Sequence, residues 1–311
     1  MRVALFGGSG FLGRGIATRL VARGHRPLVV SRSDPQLPSV DFAAWDGRTL
    51  GPWIESLGDV THVVHLAGKR VDCRPTEANL AELIRSREET VRLAGAAFEQ
   101  IGATPDVWVQ LSSLARYGDV PDGTVNEDTR LPLDGVPQHV EVCRRWEAAY
   151  RDVTATVPRR VLLRPGIAIG GPDDPATAQL IRLVRLGLGG TVGAGDQWVS
   201  WIAADDLFAV LLRSLDDGSM QGIYNVSAPT PVTNRQLMAA YRRALGRRFG
   251  LPSPAWITRI GARLLGSDPN LILTGRAAVP TRLLDEGFAF ATPDIDDAIR
   301  AAVAEAGIVR A

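Results

Sequence analysis

Glycines at positions 7, 10 and 13 follow a short apolar run, Val3–Phe6, and open an amphipathic stretch that reaches Arg23 before Gly24. Few folds admit this arrangement. An apolar run that turns at once into a helix, with glycine at every third position of the turn, predicts a strand whose end approaches a helix N-terminus at close range. One glycine makes the tight turn, a second lets backbone N–H groups approach a pyrophosphate, and the third lets helix and strand pack. The helix N-terminus then offers free N–H groups and a partial positive charge to an anion. The turn Gly7, Gly8, Ser9, Gly10, Phe11, Leu12, Gly13 is therefore expected to bind the diphosphate of a dinucleotide.

The rest of the first half repeats the alternation. Pro27–Ser31, Thr61–Leu66, Val107–Leu111 and 160–163 read as strands, and 76–101 and 136–153 as helices. Continuous apolar pairs such as Val63-Val64, separated by helices, predict an α/β fold, a doubly wound parallel sheet of the Rossmann kind covered on both faces. After Arg164-Pro165-Gly166 glycine and proline become frequent and the strands shorten to 199–202 and 222–226, with helices expected over 176–186, 204–215, 234–245 and 255–265. The expected organisation is a nucleotide-binding domain over 1–165 and a smaller substrate-side α/β lobe over 166–311, with segments returning to the first domain.

Composition narrows the function classes. With 45% hydrophobic and 22% charged residues and a net charge of +1, the chain has no basic excess to suggest nucleic acid or an anionic membrane as partner. No apolar run reaches the roughly 18 residues of a spanning helix, and the N-terminus lacks a signal-peptide pattern. Two cysteines, Cys73 and Cys143, make no disulfide framework, so a reducing cytoplasm is expected. The four histidines show no metal-ligand spacing, and no metal is expected.

The second strand ends Ser31-Arg32-Ser33. An acidic residue there would hold the ribose 2′-hydroxyl of NAD(H). Arginine among serines suits a 2′-phosphate, so the cofactor expected is NADP(H) rather than NAD(H). Asp46 either accepts from the adenine amine or closes a turn.

The chain resembles the extended short-chain dehydrogenase/reductase superfamily in the Gly7–Gly13 turn, His65-Leu66-Ala67-Gly68, Ser112-Ser113 with Tyr117-Gly118, and Arg164-Pro165-Gly166. It is most similar to an atypical branch, the sugar-nucleotide-epimerase-like family sometimes mislabelled cell-division inhibitor. Ile84–Arg87, Cys143–Glu147, Gly189-Gly190 with Gly193–Ile202, and Val279-Pro280 through Phe288 carry that closer likeness, and Pro75 departs from it where the pattern has tryptophan. The resemblance implies an active cleft between the two parts of the chain. Leu66, Ala67 and Gly68 would line the ribose and nicotinamide, Arg87 would lie on the cofactor side, and Pro165 and Gly166 would sit beside the nicotinamide. Ser113 takes the place of the superfamily's catalytic serine or threonine. A homodimer through the 76–101 and 136–153 helices is a further expectation.

Typical members carry Tyr-x-x-x-Lys, which sets both side chains on one helix face and lowers the phenol pKa. Lys69 is the only lysine in this chain and no tyrosine stands four residues before it. Counted back from Glu147, the two family positions fall on His139 and Cys143. His139, with an ordinary pKa near 6.5, or Lys69 and Asp72 in the loop after Gly68, are the candidate proton carriers. Cys143 beside Trp146 reads as packing. Tyr117 reads as structural, Trp198 and Trp201 as stacking on substrate or packing the lobe, and Arg182, Arg185 and Arg282 as candidates for a diphosphate clamp. Two functions stay open: an NADP(H)-dependent oxidoreductase or epimerase-like enzyme on a small molecule, and a catalytically silent NADP(H)-binding protein that reports redox state. An interaction module without cofactor is the third, and the intact turn argues against it.

Overall fold

The computed structural model describes residues 1–131 and 137–307. Seven parallel strands form the central sheet: β1 (Arg2–Phe6), β2 (Arg26–Ser31), β3 (Asp41–Ala44), β4 (His62–His65), β5 (Val107–Leu111), β7 (Arg159–Pro165) and β11 (Gly222–Val226). The short β6 (Thr124–Val125), β8 (Ile167–Ile169), β9 (Trp198–Val199), β10 (Trp201–Ala203), β12 (Val232–Thr233) and β13 (Ala277–Ala278) form two-stranded pairs outside it. The order β3-β2-β1-β4-β5-β7-β11 reverses direction between β1 and β4. In an open parallel sheet the crevice at that reversal, beyond the strand C-termini, is where a ligand can enter.

The strands are buried on both faces because helices cover both. Val3, Ala4, Leu5, Phe6, Val63 and Val64 are wholly inaccessible. The helices are α1 (Phe11–Ala22), α2 (Glu77–Gln100), α3 (Pro137–Val153), α4 (Pro175–Arg185), α5 (Ala204–Asp216), α6 (Asn234–Ala244), α7 (Ala255–Leu265), α8 (Asn270–Leu273), α9 (Thr281–Asp285) and α10 (Ile295–Glu305). α2 and α3 pack against each other, and α1 packs against α5. α1 stops where expected, with Gly24 at φ 74° taking the left-handed conformation that a side chain would resist. Among the described residues no helix is long and apolar enough to cross a membrane.

A second hydrophobic core, around Ile181, Val184, Trp201, Tyr241, Ile299 and Val303, belongs to the chain's second half. Its returning pieces, α5 and β11, join the main core. Parallel pairing of β6 with β13 ties the loop after β5 to the segment after α8.

Several boundaries depart from expectation. The strand expected over 199–202 is two strands. Ser200 breaks it: its carbonyl accepts from Ile167 N–H at 2.9 Å, and its hydroxyl donates to the Arg276 carbonyl at 2.7 Å. α10 carried no sequence expectation, and Val136, where the third helix was expected to begin, lies outside the described residues.

Candidate active site

The glycine turn is sterically tight at Gly7 and Gly13 and open at Gly10. Gly7 is at φ 78°, and a Cβ there would come within 2.7 Å of Ala67 Cα, so the turn lies directly against the Leu66–Gly68 segment. A Cβ on Gly13 would overlap the Gly8 backbone, which fixes how closely α1 approaches the turn. At Gly10 nothing lies within 4 Å of the Cβ position. Gly10 is also the N-cap of α1 and offers no side chain, whereas Thr76, Asp174, Thr233 and Asp294 cap α2, α4, α6 and α10. The first N–H groups of α1 are thus left for a ligand, and no acidic residue sits in the first turn to oppose an anion.

Ser9 and Ser33 join the turn to the end of β2, Oγ to Oγ at 3.3 Å, and Ser31 Oγ donates to the Ser33 carbonyl at 2.7 Å. Arg32 between them is exposed, with no ion pair among the described residues. The Asp46 carboxylate accepts from Arg48 N–H at 2.8 Å, Thr49 N–H at 2.9 Å and Thr49 Oγ1 at 2.8 Å. It closes a turn, and those hydrogen bonds, that of Arg48 first, lower its pKa.

On the other side of the reversal, a Cβ at Gly68 would stand 3.1 Å from Arg87 Cζ. Lys69 is drawn away towards α2: its Nζ donates to Asn79 Oδ1 at 2.7 Å and its N–H to Ser86 Oγ at 3.0 Å. Asp72 is exposed and paired with Arg70. Ser113 caps the short 3₁₀ turn Leu114–Tyr117, its Oγ accepting from Ala115 N–H at 3.1 Å. Pro165 ends β7, and Gly166, the next residue, passes close to the Ser200 carbonyl.

Tyr117 is fully buried and structural. Its phenol accepts from Arg164 Nη1 at 3.0 Å and lies 2.8 Å from the Asn126 carbonyl and 3.0 Å from Asn225 Oδ1. Burial raises its pKa more than the Arg164 charge lowers it, so the phenol stays protonated. Trp201 is buried, with Nε1 donating to the Thr230 carbonyl at 3.1 Å, and packs the lobe rather than facing a ligand. Trp198 is half-buried. Arg282 is spent on the Ile223 and Gln221 carbonyls and the Tyr224 hydroxyl, while Arg182 and Arg185 are exposed on α4.

His139 has a partner that the sequence did not reveal. Its Nε2 lies 3.2 Å from Oδ2 of Asp268, which precedes α8, and the two side chains are 12% and 3% exposed. A carboxylate there favours the tautomer protonated at Nε2, leaving the Nδ1 lone pair as the base. Burial lowers the imidazole pKa and Asp268 pulls it back up by less, so His139 is neutral at pH 7. One turn on, Cys143 is buried and its thiol is pushed up to about 12, first by burial and then by Glu147, so it is packing and not a nucleophile. In a histidine NMR titration His139 is expected to titrate below 6.5, and Asp268→Asn to move it lower still. A midpoint left unchanged by Asp268→Asn would contradict the pairing, and one above 6.5 in the wild type would mean that burial does not dominate.

Beneath these groups lies a buried ion pair. Glu147 and Arg164 side chains are 3% and 4% exposed, joined by two hydrogen bonds of 2.8 and 2.9 Å, and Ser112 Oγ donates to Glu147 at 2.7 Å.

A doubly wound sheet with an uncapped glycine turn at its reversal, and a serine and a carboxylate-backed histidine on the neighbouring elements, defines a nucleotide-binding protein on the extended short-chain dehydrogenase/reductase plan. The model of the NAD dependent epimerase/dehydratase family matches residues 3–227, and that of a domain of unknown function, DUF1731, matches 253–302. The human epimerase family protein SDR39U1 is 30% identical over 307 residues, covering 98% of this chain and 100% of that protein. Epimerase family protein YfhF of Bacillus subtilis (strain 168) is 27% identical, covering 98% and 99%. The crystal structure of human SDR39U1 (isoform 2), determined with NADPH, superimposes with a TM-score of 0.82 at 28% identity, covering 98% of this chain and 99% of that one. The chain belongs to the NAD-dependent epimerase/dehydratase family.

Proposed function

We propose that the chain binds NADP(H) at the β1–β4 reversal and acts as an oxidoreductase or epimerase-like enzyme on a small molecule, with His139 moving the proton. The observation that carries the cofactor reading is the open, uncapped α1 N-terminus at Gly10, a cradle that a side chain would fill. Gly7, Ser9, Gly10, Phe11, Leu12 and Gly13 would hold the diphosphate, and Ser31 with Arg32 the 2′-phosphate. Asp46, set after β3, would edge the adenine site. Leu66, Ala67, Gly68, Arg87, Pro165 and Gly166 would surround the ribose and nicotinamide. The crystal structure of human SDR39U1 with NADPH supports this choice of cofactor. Bound there, the nicotinamide supplies hydride transfer.

The protein's own part is proton transfer and orientation. A neutral imidazole whose Nε2 faces Asp268 keeps Nδ1 available to accept a proton, and the carboxylate stabilises the imidazolium that results. Ser113, half-buried at the start of its turn, can hydrogen-bond a carbonyl or hydroxyl through the one proton its capping role leaves free. Lys69, held by Asn79, is the weaker proton carrier.

The test is a fluorescence titration with NADPH and NADH. NADPH is expected to bind more tightly, and Arg32→Ala to weaken NADPH about tenfold or more while leaving NADH unchanged, because a charge-assisted contact with phosphate is lost. Equal loss for both cofactors would refute the 2′-phosphate role, and binding of neither would refute the cofactor reading.

A further inference from the structure

Three guanidinium groups from distant parts of the chain gather over the α3 face that carries His139, Cys143, Trp146 and Glu147. Arg87 rises from α2; it is 8% exposed, its Cζ lies 4.9 Å from the centre of the Trp146 ring, and its hydrogen bond is Nη1 to the Leu83 carbonyl at 3.2 Å. Arg116 sits on the 3₁₀ turn after Ser113, with Nε 3.6 Å from Glu147 Oε2. Its Nε and Nη1 are buried with no hydrogen-bond partner among the described residues. Arg276, half-buried just before β13, donates from Nε to the Gly118 carbonyl at 2.6 Å. The charges of all three reach the Cys143 thiol, where they oppose the upward push of burial and Glu147.

Among the described residues the carboxylates nearby balance them only in part: Asp119 acts on the Arg276 charge, and Glu147 lies 3.6 Å from Arg116. Glu147 is engaged by Arg164 and Ser112. Asp268 faces His139. Among the described residues no carboxylate lies within ion-pair distance of Arg87, which carries its charge against an aromatic ring and a backbone carbonyl. A buried cation without a counter-ion is costly, and buried nitrogens without partners call for one. Guanidinium groups meet that need best with a planar or tetrahedral oxyanion, which they bind through paired N–H donors.

We propose that this pocket holds an oxyanion of the substrate, a carboxylate or a phosphate, beside His139, and hence that the substrate is an anionic small molecule. The proposal rests on the reading of the cleft as an active site. It also explains why the cations come from α2, the Ser113 turn and the segment before β13: together they surround the α3 face where the proton carrier stands.

Calorimetric titration of the NADPH-loaded full chain with inorganic phosphate and with malonate, at constant ionic strength, tests it. At least one should bind one-to-one, and the tighter of the two identifies phosphate or carboxylate. Arg116→Gln and Arg276→Gln should each weaken it about tenfold or more, through loss of a charged donor, with NADPH affinity unchanged. If Arg116→Gln does not fold, Arg276→Gln, at a half-buried position, decides the matter. Binding of neither anion to a protein that binds NADPH would overturn the proposal, as would undiminished binding in the folded variants. Should NADPH itself fail to bind, the cofactor reading falls, and the same anion titration on the free protein decides the pocket separately.

Discussion

Glu147→Ala is expected to lower the stability of the protein by about 3–5 kcal/mol, the usual result of breaking a buried ion pair from one side. The loss comes less from the pair's own attraction than from what remains. Arg164 keeps its charge at 4% exposure with one hydroxyl, that of Tyr117, as its remaining hydrogen-bond partner, and Ser112 loses its acceptor. Arg116 loses the nearest carboxylate to its unsatisfied Nε. Glu147→Gln keeps the shape and one acceptor oxygen and should cost distinctly less. Urea unfolding of the three proteins measures both steps. A loss under about 1 kcal/mol for the alanine variant would mean that water or a shifted side chain replaces the carboxylate, contrary to the burial seen here.

The second large effect is on pH. His65 ends β4 with no exposed surface, stacked between Phe6 at 5.7 Å and Trp108 at 6.2 Å. Burial, opposed weakly by hydrogen bonds with the Thr90 and His65 backbone, pushes its pKa down to about 4 from 6.5. The unfolded chain therefore binds a proton between pH 6.5 and 4 that the folded chain does not, and stability falls as pH falls through that window. Above 6.5 the contribution is constant, and below about 4 the loss is complete. A shift of this size corresponds to roughly 3 kcal/mol. Carboxylates such as Glu141, whose pKa Arg144 and Arg145 lower, give a trend of the same sign, so the informative quantity is a difference. The pH profile of His65→Phe should be flatter than that of the wild type between 6.5 and 4. Parallel profiles would show that His65 is protonated equally in both states.

What the sequence revealed follows from range. The Gly7–Gly13 turn is local: strand, turn and helix lie in one short segment, so spacing alone predicts it, and Gly7 and Gly13 each meet a different close neighbour. Long buried strands such as Val107–Leu111 are legible for the same reason. β9 and β10 were not, because Ser200 breaks an apolar run for a hydrogen bond with Arg276 that no local pattern announces. The pairing of His139 with Asp268 and the gathering of Arg87, Arg116 and Arg276 are contacts between remote segments, and a single sequence holds no periodicity for them. That the Asp268 carboxylate faces α3 depends on the β6–β13 pairing that draws the two parts together. A lone buried arginine gives a weaker sign still.

That β6–β13 pairing also sets an order of events during synthesis. The glycine turn and the Leu66–Gly68 segment leave the ribosome early, and β1, β2 and β4 can pair while the rest of the chain is still being made. Asp268 and Arg276 emerge near the end, within the segment 253–302 that is matched as a domain in its own right. Until they dock, the His139–Asp268 contact and the Arg276 hydrogen bond to the Gly118 carbonyl cannot form. The glycine turn is thus made well before the partner of His139, and a chain cut short after β11 would hold the turn and His139 without Asp268.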